Sequence, residues 1–321
     1  NDGSSISTAW ATLAKAITDG ADVDGANADT TFYLAPGSIF REDVAAGETN
    51  KDIGYRCTWY GDREAAIFTN HTPGAIVHTN VEDPVTLSTS AASPMRTSHR
   101  NTYIAMDFYA HNHSTATGLY QGPSAGRPSD ATASRCLIVG DKYGVYRGPH
   151  LEDCIIMGGD GTISQTTSAD RCVIIGGRFG ITQTHGPITN CTAIGSGYSY
   201  YNNTNAAAEV VNCTAVGGGS FGFTNNTVGR RNLALWTQYG FRTGNSSRYE
   251  SSSIAYGCAY PMSQGTQYNI SASRGGFAHS TQYGDATAGQ CAELFWHYED
   301  VIQIANAFYP YSKDTGITTV S

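Results

Sequence analysis

Five of the eight cysteines in this chain recur at nearly constant spacing. They open similar phrases that end in glycine: Cys136-Leu-Ile-Val-Gly140, Cys154-Ile-Ile-Met-Gly158, Cys172-Val-Ile-Ile-Gly176, Cys191-Thr-Ala-Ile-Gly195 and Cys213-Thr-Ala-Val-Gly217. Successive cysteines are 18, 18, 19 and 22 residues apart, and the series continues without cysteine at Asn232-Leu-Ala-Leu-Trp236 and Ser253-Ile-Ala-Tyr-Gly257. A repeat of about 20 residues with short apolar runs that end at glycine predicts a solenoid, in which each repeat forms one coil.

A second phrase, an aromatic residue followed by glycine, comes after several of the first ones. Its examples are Tyr143-Gly144-Val145, Phe179-Gly180-Ile181, Phe221-Gly222-Phe223 and Tyr239-Gly240-Phe241. We therefore predict an all-β fold, a single-stranded parallel β-helix whose coils stack at about 4.8 Å. A leucine-rich repeat has a similar length, but it needs a leucine ladder and a helical half-repeat, and the sequence has neither.

The cysteines of this pattern are expected to lie inside the solenoid as free thiols. Strand alternation places Cys136 and Ile138 on the same, inward face. Thiols on adjacent coils are about 5 Å apart, but parallel stacked side chains do not offer the torsion near 90° that a disulfide needs. A column of reduced thiols favours folding in a reducing cytosol over export through an oxidising compartment.

The N-terminal segment predicts a cap followed by a first coil. Apolar residues at Trp10, Leu13, Ala14 and Ile17 have helical spacing, which predicts an amphipathic helix over about 8–19. Such a helix would cover the open end of the hydrophobic core, as repeat arrays require.

This opening also carries a resemblance to a known family. The run Trp10-Ala-Thr-Leu-Ala-Lys-Ala-Ile17, followed by Asp29-Thr-Thr-Phe-Tyr-Leu-Ala-Pro-Gly37 and Arg41-Glu42, resembles the start of right-handed β-helix proteins of the pectate-lyase-like superfamily. In character the chain is nearest to bacteriophage tailspike and virion β-helix proteins. The resemblance implies a right-handed β-helix. It implies no single function, because this fold carries lyases, hydrolases, epimerases and tailspikes.

The domain organisation follows from the same patterns. We expect one β-helix over residues 1–290, with irregular early coils over about 62–130, where prolines and Ser/Thr-rich loops interrupt the repeat. Residues 291–321 leave the coil pattern and are predicted to form a C-terminal cap or an oligomer contact. The net charge of −8 argues against a nucleic-acid groove, and no apolar run reaches the ~20 residues that span a bilayer.

The candidate catalytic residues are three charges that follow successive cysteines by six residues: Lys142, Asp160 and Arg178. They are predicted to stack on successive coils. In the lyases of the resembling family a lysine or arginine removes an α-proton from a uronate, which gives this column a catalytic interpretation. The alternative is a surface charge ladder, in which each exposed pair contributes a few tenths of a kcal/mol.

A second, polar column lies eleven residues after the cysteines. Its members are Arg147, Gln165, Gln183, Asn202, Thr224 and Thr243. Together with nearby tyrosines, these side chains are candidates for carbohydrate binding; the alternative is an ordinary solvated face.

Other candidate sites are weaker. His111 and His113 would share one face of a strand but have only the distant His99 as a third ligand, so we expect no metal site and no cofactor. The catalytic motifs of polygalacturonases and pectate lyases are missing. Eight Asn-X-Ser/Thr sequons occur, but Asn190 and Asn212 precede stacked cysteines, where a glycan would collide with the next coil.

These observations favour a structural component of a virus particle over an enzyme. The expected setting is a bacteriophage tail spike, fibre, baseplate or capsid decoration, assembled in the host cytoplasm into the virion. Other virion proteins, host surface polysaccharide and further copies of the chain, with a trimer favoured, are the expected partners. The alternative is a secreted polysaccharide lyase or glycoside hydrolase of the same fold.

Overall fold

The computed structural model describes residues 30–34, 39–41, 52–53, 57–60, 85–89, 96–97, 102–110, 116–121, 131–201, 208–224, 228–242, 249–251, 253–263, 266–268, 271–274 and 277–278. The regular structure in these ranges is β-strand, and successive strands alternate among three parallel sheets. The prediction of an all-β parallel β-solenoid is therefore confirmed. The predicted helix over about 8–19 and the predicted cap over 291–321 lie outside these ranges, as does most of 62–130. Nowhere in the described ranges is there a helix that is long and apolar enough to cross a membrane.

The chain divides into two compact units, whose described residues lie within 30–169 and within 170–278. The strands of the first unit are β1 (Thr30–Tyr33), β2 (Ile39–Arg41), β3 (Asp52–Ile53), β4 (Cys57–Tyr60), β5 (Val85–Thr89), β6 (Arg96–Thr97), β7 (Thr102–Ile104), β8 (Met106–Ala110), β9 (Thr117–Gln121), β10 (Thr132–Ser134), β11 (Leu137–Gly140), β12 (Tyr143–Tyr146), β13 (His150–Glu152), β14 (Ile155–Gly158) and β15 (Gly161–Ser164). Sheet A contains β1, β4, β7, β10 and β13; sheet B contains β2, β5, β8, β11 and β14; sheet C contains β3, β6, β9, β12 and β15. The strand β16 (Ser168–Asp170) contains the boundary between the units.

The second unit repeats this arrangement. Its strands are β17 (Val173–Ile175), β18 (Phe179–Thr182), β19 (Ile188–Thr189), β20 (Thr192–Ile194), β21 (Tyr198–Tyr201), β22 (Glu209–Val211), β23 (Thr214–Val216), β24 (Phe221–Thr224), β25 (Val228–Arg230), β26 (Leu233–Leu235), β27 (Tyr239–Arg242), β28 (Tyr249–Ser251), β29 (Ile254–Tyr256), β30 (Tyr260–Ser263), β31 (Thr266–Tyr268), β32 (Ser271–Arg274) and β33 (Phe277–Ala278). Sheet A continues through β19, β22, β25, β28 and β31, sheet B through β17, β20, β23, β26, β29 and β32, and sheet C through β18, β21, β24, β27 and β30. The strand β33 pairs antiparallel with β32.

The interior is packed by residues of complementary size on sheets B and C. Two coils of the first unit pair two branched side chains, Ile138 with Val145 and Ile156 with Ile163, all fully buried. The first coil of the second unit pairs Ile174 with Ile181, and in the next three coils alanine on sheet B accompanies an aromatic ring on sheet C of the same coil. These pairs are Ala193 with Tyr200, Ala215 with Phe223 and Ala234 with Phe241. The cross-section is therefore filled at nearly constant volume although the residues differ.

The aromatic rings of these pairs form an inner aromatic stack, composed of Tyr200, Phe223 and Phe241. The ring centroids of Tyr200 and Phe223 are 4.6 Å apart with an interplanar angle of 1°, and those of Phe223 and Phe241 are 5.1 Å apart. The Tyr200 hydroxyl lies 2.7 Å from the carbonyl oxygen of Cys191 and 3.0 Å from that of Thr214. The one buried phenol of the stack is thus satisfied inside the core.

The predicted inward cysteines are free and buried at Cys136, Cys154, Cys172, Cys191, Cys213 and Cys258. The first five form what we call the thiol column, two of them in the first unit and three in the second. Each thiol of this column donates to the carbonyl oxygen two residues earlier, at 3.2–3.3 Å. In the second unit two of the sulfurs also accept a backbone N–H from the preceding coil: Cys172 N–H donates to Cys191 Sγ, and Cys191 N–H to Cys213 Sγ, both at 3.4 Å.

The column continues with oxygen in place of sulfur. Cys213 N–H donates to Asn232 Oδ1 at 2.9 Å, and Asn232 N–H donates to Ser253 Oγ at 2.9 Å. Cysteine, asparagine and serine have in common a side-chain acceptor one or two bonds from Cβ. The residue type at this position is therefore determined by a hydrogen bond between coils as well as by the space available.

The residue before each member of the thiol column turns the chain in the left-handed conformation. In the second unit Asn190 and Asn212 have φ of 55° each. Asn212 Nδ2 donates to Asn190 Oδ1, and Asn190 Nδ2 donates to Asp170 Oδ1, both at 2.8 Å. Asparagine tolerates this conformation, and its amide forms a ladder from coil to coil. Both amides are thus engaged within the fold, which agrees with the structural interpretation of these two sequons.

Candidate functional site

The outward face of sheet C in the second unit carries a continuous row of aromatic rings, which we call the outer aromatic column. It consists of Phe179, Tyr198, Phe221, Tyr239 and Tyr260, the first residues of five successive strands. Neighbouring ring centroids are 5.2, 5.2, 4.7 and 4.8 Å apart, with interplanar angles of 17–29°. The rings are therefore stacked at the spacing of the coils.

Stacking determines which part of each ring meets solvent. The four rings from Phe179 to Tyr239 are half-buried, and Tyr260 is 47% exposed. Because each ring covers the face of its neighbour, the column presents ring edges, and at Tyr198, Tyr239 and Tyr260 it also presents phenolic hydroxyls. A ligand along this face meets alternating apolar edges and hydroxyl groups.

Two arginines lie against this column. The Arg178 guanidinium is 5.0 Å from the Phe179 ring centroid, and the Arg242 guanidinium is 5.1 Å from that of Phe221. Both distances are within the range of cation–π attraction. The arginines add positive charge and hydrogen-bond donors to an otherwise neutral surface.

The glycine after the aromatic residue allows the coils to approach closely at this sheet. A Cβ atom on Gly180 would lie 2.5 Å from the carbonyl oxygen of Ser199, and one on Gly222 would lie 2.8 Å from that of Gly240. A side chain at either position would push the coils apart. The glycine of the aromatic–glycine phrase is therefore required by close packing at Gly180 and Gly222.

The structure brings together only two of the three charged residues that were predicted to stack, Lys142, Asp160 and Arg178. Lys142 and Asp160 lie on consecutive coils of the first unit, where Asp160 N–H donates to the Lys142 carbonyl oxygen at 2.9 Å. The Lys142 ammonium lies over the Tyr143 ring, 5.3 Å from its centroid. Burial and then the Asp160 charge raise the pKa of Tyr143. Arg178 belongs to the second unit, where it lies over Phe179. The catalytic role of the three charges remains a prediction.

The predicted polar column forms in part and contains one error of register. Arg147 Nε donates to Gln165 Oε1 at 3.2 Å between consecutive coils of the first unit. These two residues and Gln183 share the left-handed conformation, with φ of 51–58°. Asn202 and Thr243 lie outside the described residues. Thr224 was placed one position off: it aligns with Tyr201 on the preceding coil, because its coil has an extra residue between sheets B and C.

The thiols and imidazoles form no metal centre in the described part of the chain. No group of three His, Cys, Asp or Glu side chains capable of holding a metal ion is found there. His150 Nδ1 is hydrogen-bonded to Ser168 Oγ at 2.7 Å, whereas His111 and His113 lie outside the described residues. Burial raises the pKa of Cys136 and Cys191 well above the usual value, which keeps these thiols protonated and unreactive.

The outer aromatic column was the feature that sequence reasoning did not single out as a site. Its signal was present, since the aromatic–glycine phrases were recognised as part of the repeat. What a sequence does not show is that the aromatic residue points outward while the residue two positions later points inward. No protein-family model, no curated protein and no solved structure matches this chain.

Proposed function

We propose that this protein is a glycan-binding structural component of a virus particle, with the outer aromatic column of the second unit as its binding surface. The observation that carries the proposal is the unbroken series of five stacked, partly exposed rings along one sheet. An exposed aromatic surface of this extent on a soluble domain marks an interaction site.

The repeat of the column suits a polymeric ligand. Each coil adds one ring at nearly the same interval, so a polysaccharide lying along the solenoid meets equivalent contacts at each step. Individually weak contacts of this kind combine into substantial avidity. Arg178 and Arg242 supply donors for hydroxyl or carboxylate groups of the sugar.

The wider setting is part of the same proposal. Buried free thiols suit assembly in a reducing host cytoplasm followed by incorporation into the virion. We place the chain among right-handed β-helix proteins of the pectate-lyase-like type, near bacteriophage tailspikes. Other virion proteins and a homo-oligomer, with a trimer favoured, are its partners in this proposal.

The test compares two outward hydroxyls with one inward hydroxyl. The double variant Tyr198→Phe/Tyr239→Phe keeps the ring stack but removes two hydroxyls from the surface. We expect it to bind purified capsular and O-chain polysaccharides several-fold more weakly than the unmodified chain in biolayer interferometry. The control Tyr200→Phe removes a hydroxyl from the core and should lower the melting temperature without changing binding.

Two results would contradict the proposal. One is the absence of binding to any polysaccharide of the panel by the unmodified chain. The other is release of unsaturated uronate or reducing ends, which would support the alternative of a polysaccharide lyase or glycoside hydrolase.

A further inference from the structure

One coil of the second unit carries tryptophan at the corner where its neighbours carry glycine. The position lies directly after the sheet B strand, and on four consecutive coils it is occupied by Gly195, Gly217, Trp236 and Gly257. Their φ values are +70°, +63°, +52° and +65°. Glycine adopts this left-handed conformation freely, whereas it is an outlier for a bulky side chain. The chain thus keeps an aromatic residue at a corner that disfavours one.

The next coil provides a seat for the indole. A Cβ atom on Gly257 would lie 2.4 Å from Trp236 Cδ1 and 2.9 Å from Trp236 Nε1. The pyrrole part of the indole therefore lies against the backbone of Gly257. On the preceding coil a Cβ atom on Gly217 would have no neighbour within 4 Å, so one bare corner lies on the other side of the tryptophan; Gly195, one coil further away, is equally bare.

The backbone around Trp236 is held firmly. Leu235 is fully buried and Thr237 is 3% exposed, although Trp236 between them is 40% exposed. Trp236 N–H donates to the Tyr256 carbonyl oxygen at 3.0 Å, and Thr237 Oγ1 donates to that of Tyr239 at 3.0 Å. The exposed indole is thus pre-organised, which reduces the entropy lost when a ligand binds.

The surroundings of the indole are neutral. The ranges 213–224, 232–241 and 253–260 contain no Asp, Glu, Lys, Arg or His. The charged residues nearest in sequence are Arg231, which follows β25, and Arg242, which is the last residue of β27. The exposed Gln238, two residues after the tryptophan, offers an amide that donates and accepts. Such a site has no cationic side chain to bind a phosphate or carboxylate, and it suits an uncharged ligand with hydroxyl groups.

We propose that Trp236 is a stacking site for a neutral pyranose residue. The C–H groups on one face of a pyranose form a flat patch of slightly positive charge, which complements the negative face of an aromatic ring. The bare corner at Gly217 leaves room for the sugar, and Gln238 is placed to bind its hydroxyls. The inference rests on the proposed glycan-binding function. It concerns the corner between sheets B and C, whereas the outer aromatic column lies on the outward face of sheet C, and it names the ligand as neutral.

The experiment uses the full chain and defined oligosaccharides. Maltohexaose, cellohexaose, mannohexaose and hexa-N-acetylchitohexaose are titrated by isothermal calorimetry, with hexagalacturonate as the charged comparison. Trp236→Gly restores the glycine of the neighbouring coils and relieves the backbone, so its melting temperature should equal or exceed that of the unmodified chain. We expect at least tenfold weaker binding of the neutral probe that binds best.

A matched pair of glycine variants tests whether binding depends on the contact between the Trp236 indole and Gly257. Gly257→Ala forces the indole to move, and Gly195→Ala introduces the same backbone strain where the added methyl group meets nothing. We expect Gly257→Ala to weaken binding several-fold and Gly195→Ala to leave it unchanged.

Three outcomes would overturn the inference: unchanged affinity in Trp236→Gly, preference for hexagalacturonate, or no binding of any neutral probe. If the unmodified chain binds polysaccharide through the outer aromatic column while Trp236→Gly changes nothing, this inference fails and the proposed function stands. If neither polysaccharide nor oligosaccharide binds, both fail.

Discussion

At the scale of single residues, the thiol column shows why cysteine recurs in this repeat. Each sulfur is buried inside the corner, and those of Cys191 and Cys213 also accept a backbone N–H from the preceding coil. The later coils place Asn232 and Ser253 at the same position, where their oxygens accept the equivalent bond. From Cys136 to Ser253 neither alanine nor valine occurs at this position, whereas one coil before Cys136 it holds the fully buried Met106.

Substitutions at Cys213 can separate what the hydrogen bond contributes to stability from what the packing contributes. In Cys213→Val the volume is roughly kept but the acceptor for Cys191 N–H is lost, so we expect a loss of about 1–3 kcal/mol in the free energy of unfolding. Cys213→Ser keeps an acceptor and should be less destabilising. Urea denaturation of the two variants measures the difference. A valine variant as stable as the unmodified chain would show that the sulfur is only a space-filling group.

The charge pair of the first unit makes a second residue-scale prediction. Asp160→Asn should change the free energy of unfolding by less than about 1 kcal/mol, because Asp160 is linked to the Lys142 coil mainly through its backbone. The pKa of Tyr143 should fall towards its ordinary value, because the Asp160 charge helps to raise it. Thermal melts and NMR titration of labelled tyrosine check both, with Asp141→Asn as the control. A depolymerase activity of the unmodified chain that disappears in Asp160→Asn would instead make Asp160 catalytic.

At the scale of strands, the interior is maintained by an exchange of volume between sheets B and C. The coils with Ile138, Ile156 and Ile174 on sheet B have valine or isoleucine on sheet C, and those with Ala193, Ala215 and Ala234 have tyrosine or phenylalanine. The two positions therefore depend on each other energetically, as residues that share one cavity do.

This dependence predicts a rescue. Ala215→Ile alone overpacks its coil and should destabilise by about 1–3 kcal/mol, and Phe223→Ile alone leaves a cavity and should destabilise by a similar or larger amount. The double variant recreates the pair seen at Ile156 and Ile163, so its loss should be clearly smaller than the sum of the two single losses. Chemical denaturation of all four proteins gives the coupling energy. Additive losses would mean that the two side chains do not share space.

Strands differed in how well the sequence predicted them. The cysteine phrases correspond to sheet B and the aromatic–glycine phrases to sheet C, because both have a fixed pattern of inward residues. Strands of sheet A, such as β13 and β16, were not singled out, since they have three residues and only one fully inward side chain, which leaves no periodicity to detect. The misplacement of Thr224 has a similar cause: a single extra glycine shifts the register, and the polar residues on both sides give no signal of it.

At the scale of the whole molecule, stability should depend on pH through Asp107. Burial raises the pKa of this carboxyl to about 6, and a hydrogen bond with the backbone of Leu137 opposes the rise. Because the folded-state pKa exceeds the unfolded one, the folded state binds more protons between the two values, and stability falls as pH rises from about 4 to about 6. The stability that the protonated Asp107 carboxyl contributes is fully present below its unfolded-state pKa and is lost as the pH rises above about 6.

The substitution Asp107→Asn should remove this fall in stability between about pH 4 and pH 6. The variant should gain stability relative to the unmodified chain at pH 7, by an amount on the order of 2 kcal/mol, and lose that advantage at pH 4. Urea denaturation at both pH values measures the effect. A pH dependence that is the same in the two proteins would show that Asp107 ionises freely in the folded state.

Function was less predictable than fold. The repeat specified coils because every coil must satisfy the same packing, whereas a binding surface depends on which outward side chains escape burial. Trp236 illustrates the difference. The phrase Asn232-Leu-Ala-Leu-Trp236 predicts a coil, but only the structure shows that the indole lies against Gly257 and that the corner at Gly217 is bare.

The corner N–H groups of the thiol column donate in one direction along the chain. In the second unit the corner N–H of each coil donates to a side chain of the coil that is synthesised after it, from Cys172 through Cys191, Cys213 and Asn232 to Ser253. Each coil is therefore completed by its successor. A chain that leaves the ribosome N-terminus first receives each acceptor one coil after the donor that needs it. The growing end of this stack is thus always one coil short of complete, and only the arrival of the next coil closes it.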